Sequence, residues 1–104
     1  MENLPESDWE VFKGIRDDMF EALCSRINSK ATKIINQKGK SQHEKYFKLN
    51  KHIRKSDKIV SKCFSDFNRS NLSLTLQALR KEGVLADYHL ESFSKATNEF
   101  LKNI

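Results

Sequence analysis

A chain of 104 residues with three glycines and one proline suffices for one domain with a single modest core, and is too short for two. No apolar run approaches the roughly 20 residues that cross a bilayer, and no basic start precedes an apolar run at the N-terminus. The expectation is a cytoplasmic protein without a membrane span or signal peptide, carrying a net charge of +5.

The first element is a long amphipathic helix over residues 8–36. Phe12, Ile15, Met19, Leu23, Ile27, Ala31 and Ile34 recur at spacings of three and four, which lays one apolar stripe along a helix. Trp9, Phe20, Cys24 and Ile35 widen it. Ser7 or Asp8 is positioned to cap the start, and early acids suit the positive end of the helix dipole. Gly14 is the one weak interior residue. A helix of this length needs a partner along its side.

Residues 42–67 provide that partner. Ser41 with Glu44 three residues on has the form of a capping box, and Gly39 suits the left-handed residue that ends the preceding helix. The stripe continues through Tyr46, Leu49, Ile53, Val60, Phe64 and Phe67, flanked by Phe47, Ile59 and Cys63. One turn, at Ser56-Asp57, is polar. The register agrees on both sides of it, so a continuous helix is expected. A connection this short makes the two helices antiparallel neighbours. Facing positions then sum to about 79.

The remaining chain reads as three shorter helices, over residues 71–82, 88–93 and 95–103. Asn68 or Ser70 starts the first and Gly83 ends it, with Val84 placed for a contact beyond its end. Leu72-Ser73-Leu74-Thr75-Leu76 alternates like a strand, but a lone strand has no neighbour to pair with. Ala86-Asp87 opens the second helix, with Tyr88, Leu90 and Phe93. Ser94 caps the last, with Ala96, Phe100, Leu101 and Ile104. The fold class is thus all-α: a single helical-bundle domain spanning residues 1–104, a long antiparallel hairpin covered by three C-terminal helices.

Arg69-Ser70-Asn71-Leu72 to Gly83-Val84-Leu85 resembles in pattern the recognition helix of winged-helix DNA-binding domains. That resemblance implies a β-hairpin wing after the helix. Here the chain enters Asp87-Tyr88-His89-Leu90-Glu91, which reads as helix, so a core-covering helix is expected.

Little in the chain points to chemistry. Cys24 and Cys63 have no CxxC spacing. In the hairpin register they are offset by about eight residues, on the order of 12 Å, beyond disulfide reach. Free thiols are expected. His43, His52 and His89 share no helical spacing, so no metal site and no cofactor are expected, nor an enzyme.

Charge is the stronger signal. Residues 1–22 hold seven acids and two bases, whereas residues 23–62 hold twelve bases and two acids. Folded as a hairpin, the chain brings Arg26, Lys30, Lys33 and Lys38 beside Lys40, Lys45, Lys48 and Lys51. These eight are the candidate anion-binding patch. Lys40, Lys45 and Lys48 oppose the positive end of their own helix, at about 0.3–1 kcal/mol each for an exposed site. Lysine on an outer face serves solubility, and it also suits nucleic-acid phosphate or an acidic protein surface. Tyr46 and Phe47 lie within the patch, where they could stack on bases, but their place on the apolar stripe assigns them to the core.

The functional expectation is a non-enzymatic binding, regulatory or adaptor protein working through protein–protein contacts. If the arms outrun their cover, an exposed part of the Trp9–Phe20 region would pair with a second copy as a homodimer. The alternative is a nonspecific nucleic-acid binder acting through the lysine-rich tip.

Overall fold

The computed structural model describes residues 4–65 and 68–102. Helix α1 (Glu6–Ile35) and helix α2 (Gln42–Phe64) pack as an antiparallel hairpin. A 3-10 turn (Arg69–Asn71) leads into α3 (Leu72–Lys81), followed by α4 (Asp87–Leu90) and α5 (Lys95–Lys102). No strand occurs among the described residues, and none of their helices is long and apolar enough to cross a membrane. The alternating leucines after Asn71 are helical: Leu72 and Leu76 are buried, while Leu74 points outward. The expected helix ends at Phe67 and Asn103 lie outside the described residues.

The hinge follows its local chemistry. Gly39 takes φ of 77°, a left-handed conformation that costs glycine nothing. Ser41 then caps α2, its Oγ accepting from the Glu44 backbone N–H at 3.1 Å. The helix runs unbroken through Ser56-Asp57. Ser56 is buried there because its hydroxyl donates to the His52 carbonyl, 2.8 Å away in its own helix.

Two polar ties hold the hairpin register. The His52 ring donates through Nε2 to the Ile27 carbonyl at 2.9 Å, and Arg16 donates to the Phe64 carbonyl at 2.7 Å. The two pairs sum to 79 and 80, as the hinge position predicts. Cys24 and Cys63 are both free. Burial, with the Glu82 carboxylate adding to it, pushes the Cys63 thiol above its ordinary pKa, against the pull of Lys62 and Arg26.

The core lies at the base of the hairpin, away from the hinge. Phe12, Met19 and Leu23 of α1 meet Cys63 and Phe64 of α2. Over them close Leu72, Leu76 and Leu79 of α3, then Leu85, Phe93 and Leu101. Gly83, at φ of 72°, ends α3, and the N–H groups of Val84 and Leu85 both return to the Leu79 carbonyl. Arg80 secures the next turn, donating to the Leu85 carbonyl at 2.8 Å and pairing with Asp87. The His89 Nδ1 accepts from the Ala86 N–H at 2.8 Å, and burial lowers its pKa.

The start of α1 differs from expectation. Pro5 occupies the cap position and no side chain caps it. Asp8 instead lies inside the first turn, 1% exposed, and serves the other end of the chain. Its carboxylate accepts from the Ser94 N–H at 2.8 Å, the Ser94 hydroxyl at 2.7 Å and the Thr97 hydroxyl. Ser94 itself caps α5, accepting from the Thr97 N–H at 3.2 Å. A carboxylate with three donors, set against the positive end of a helix, is a satisfied buried charge. Asp8→Ala strands those donors in a dry site. It is expected to lower stability by about 3 kcal/mol in urea denaturation, with Glu10→Ala, on the exposed side, close to neutral.

Candidate interaction surface

The three C-terminal helices cover only part of the hairpin, which belongs to a molecule 52 Å long and 24 by 22 Å across. Toward the hinge, Ala31, Ile34, Ile35, Tyr46, Phe47, Leu49 and Ile53 neither belong to the core nor pack against it. Several stand largely in water: Tyr46 is 64% exposed, Phe47 57%, Ile35 51% and Ile53 39%. Tyr46 and Phe47 are therefore not core residues. They sit on the stripe, but the stripe at that level has nothing to bury it.

Phe47 lies about 100° round the helix from Tyr46. The Phe47 ring meets His43 at 4.5 Å and Tyr46 at 6.0 Å, forming an aromatic edge at the tip. Around it stand the predicted lysines. Lys40 pairs with Glu44 at 3.7 Å, and Lys48 donates to the Gln37 side chain at 3.2 Å. Lys30, Lys33, Lys38, Lys45 and Lys51 have no acidic partner within 4.0 Å among the described residues, so their charge is directed outward or along the hairpin. Arg26 stands apart from the tip. Its guanidinium donates to the Glu82 carbonyl at 3.1 Å, tying α1 to the end of α3. With Lys30, His52 and Lys55 it rims a cleft of about 340 Å³ floored by Leu23, Ile27 and Ile59.

A second feature escaped the sequence reading because it crosses the two helices. Tyr46, Ile53 and Val60 are spaced by seven on α2, and Phe20, Ile27 and Ile34 by seven on α1. Residues seven apart lie nearly above one another, so each trio forms a line. The lines meet at the base, where the Phe20 and Phe64 rings meet at 5.0 Å, tilted by 58°, beside a cleft of about 340 Å³ lined by Arg16, Phe20, Asp57, Val60 and Phe64. Every member of the two trios is partly or largely exposed. Ile27 and Val60 pack against the core, so the open apolar positions are Phe20 at the base and Ile34, Tyr46 and Ile53 toward the tip. Of the Trp9–Phe20 region only Phe20 is among them: Trp9 and Ile15 pack against the core, and Phe12 and Met19 are inside it. The signal that would have located these positions is the pair of seven-residue spacings, read together rather than as separate stripes.

No group of three or more metal-ligating side chains occurs among the described residues. The surface offers apolar contact, aromatic rings and positive charge, which are means of binding. Tyr46→Ala and Phe47→Ala are expected to shift the urea midpoint by less than about 0.5 kcal/mol of stability, while Leu23→Ala, in the core, costs about 3 kcal/mol.

No protein-family model, curated protein or solved structure matches this chain.

Proposed function

We propose that the chain is a non-enzymatic binding protein, a regulatory or adaptor subunit that works through protein–protein contacts made by the exposed apolar residues of its hairpin. The observation carrying this reading is the set of exposed large apolar side chains on the hairpin, Phe20, Ile35, Tyr46, Phe47 and Ile53. Contiguous exposed apolar surface is costly for a monomer and is the usual mark of a contact site. The two free thiols suit a reducing compartment, consistent with a cytoplasmic protein. Tagged wild type and Ile53→Glu, purified side by side from the native host, test the reading. A protein that accompanies the wild type and is lost with Ile53→Glu is the expected result, and identical recovery with both overturns it.

One observation favours a second reading. Tyr46 and Phe47 stand in water among lysines that lack acidic partners, the combination by which single-stranded nucleic acid is held without sequence readout. Lysine gives point-charge contacts to phosphate and no bidentate base recognition. On this reading, affinity for a single-stranded oligonucleotide falls steeply with salt. Lys45→Glu with Lys48→Glu reduces the slope of log affinity against log salt by about two. No binding at low salt removes it.

A further inference from the structure

Leu23, Arg26, Ile27 and Lys30 are spaced by three, four and seven on α1, which puts them on one side of the helix. His52, Lys55, Ser56 and Ile59 repeat those spacings on α2. The hairpin register sets the two groups side by side. Leu23 with Ser56 and Ile27 with His52 both sum to 79, the value fixed by the His52–Ile27 hydrogen bond, and Arg26 with Lys55 sums to 81. Together the two groups line one cleft of about 340 Å³ at mid-hairpin, beside the end of α3.

The floor of this cleft is the outer surface of the core. Leu23 is buried beneath it, and Ile27 and Ile59 are partly buried against the core. The Ser56 hydroxyl and the His52 Nε2 are both taken up by backbone carbonyls of the hairpin. The rim is cationic. Arg26, Lys30 and Lys55 are exposed, no acid lines the cleft, and none of the three has an acidic partner within 4.0 Å among the described residues. Arg26 is held in place by its bond to the Glu82 carbonyl at 3.1 Å, while the Glu82 carboxylate pairs with Lys62 at 3.7 Å. An apolar floor under a few convergent charges is the make-up of a small-molecule site, and the volume falls at the low end of the roughly 300–1,000 Å³ such sites span.

We propose that the cleft binds a small organic anion with a short apolar body, a carboxylate or a phosphate monoester. Its headgroup lies among Arg26, Lys30 and Lys55, and its body covers Ile27 and Ile59. This goes beyond the protein contact proposed above, since none of the exposed apolar residues of the hairpin lines the cleft. Arg26 and Lys30 stand one helical turn apart, and Lys55 faces Arg26 from the other helix. The three charges therefore surround one point, which suits a single headgroup. A nucleic-acid backbone needs charges that follow a line. Like charges facing across a cleft repel, and an anion between them turns each repulsion into an attraction.

Fluorescence titration of the full chain with anilinonaphthalene sulfonate, a small aromatic anion, tests the proposal. A saturable rise in emission with one probe per chain is expected. Lys30→Glu with Lys55→Glu should weaken binding more than about tenfold. Lys95→Glu with Lys102→Glu, an equal change of net charge placed on α5, should leave it within about twofold. All four lysines are exposed, so circular dichroism should stay unchanged in both variants. Octanoate and octyl phosphate should displace the probe, and the tighter of the two identifies the headgroup. Octanol and inorganic phosphate, each carrying half of the required chemistry, should not. Absence of saturable binding overturns the site, as does equal weakening by the two lysine pairs. Displacement by octanol as readily as by octanoate overturns the anion, and displacement by inorganic phosphate as readily as by octyl phosphate overturns the apolar body. Displacement by poly-glutamate at a lower carboxylate concentration than octanoate needs overturns the small molecule in favour of an acidic protein segment.

Discussion

The structure depends on a mismatch of lengths. Helix α1 runs 30 residues, about 45 Å at 1.5 Å per residue, and α2 runs 23. The helices available to cover them have 10, 4 and 8 residues. A helix with an apolar stripe gains stability only where something buries that stripe. The short helices supply this at the base, over Phe12, Met19, Leu23 and Phe64, and leave the tip uncovered. The elongated shape of the molecule and its uncovered tip follow from that shortfall.

Where apolar burial is scarce, side-chain to backbone hydrogen bonds hold the pieces in place. Asp8 fastens the start of α1 to the start of α5 across 86 to 89 residues of sequence. Arg26 fastens the middle of α1 to the end of α3, and Asn98 donates to the carbonyls of Leu90, Phe93 and Ser94, closing the turn before α5. Each such bond contributes roughly 1 kcal/mol when made and costs more when one partner is removed. Together they fix the cap at the base, so it cannot slide up the hairpin to cover the tip.

The lysines and the exposed apolar residues meet at the tip of the hairpin. An uncovered apolar face invites indiscriminate association, and a strong like charge at one end opposes it. Lysines early in α2 work against the helix dipole and against the lysines of α1, a small cost repeated at several positions. An anionic surface laid over the tip would relieve that repulsion.

Much of the fold was legible in the residues one after another. Helix spans, the Gly39 hinge, the Ser41 and Ser94 caps, the Gly83 stop and the hairpin register all rest on local chemistry within a few residues, so each can be read without knowing what lies across from it. The continuity of α2 at Ser56 was legible for the same reason. Burial was not. Tyr46 and Phe47 share the stripe of Phe64, and periodicity alone cannot distinguish a stripe with a partner from one without. The role of Asp8 was equally hidden, because its donors come from Ser94 and Thr97 at the far end of the chain. The sequence determined which face of each helix is apolar. Only the tertiary structure decided which part of that face is covered, because covering depends on how far three short helices reach along two long ones.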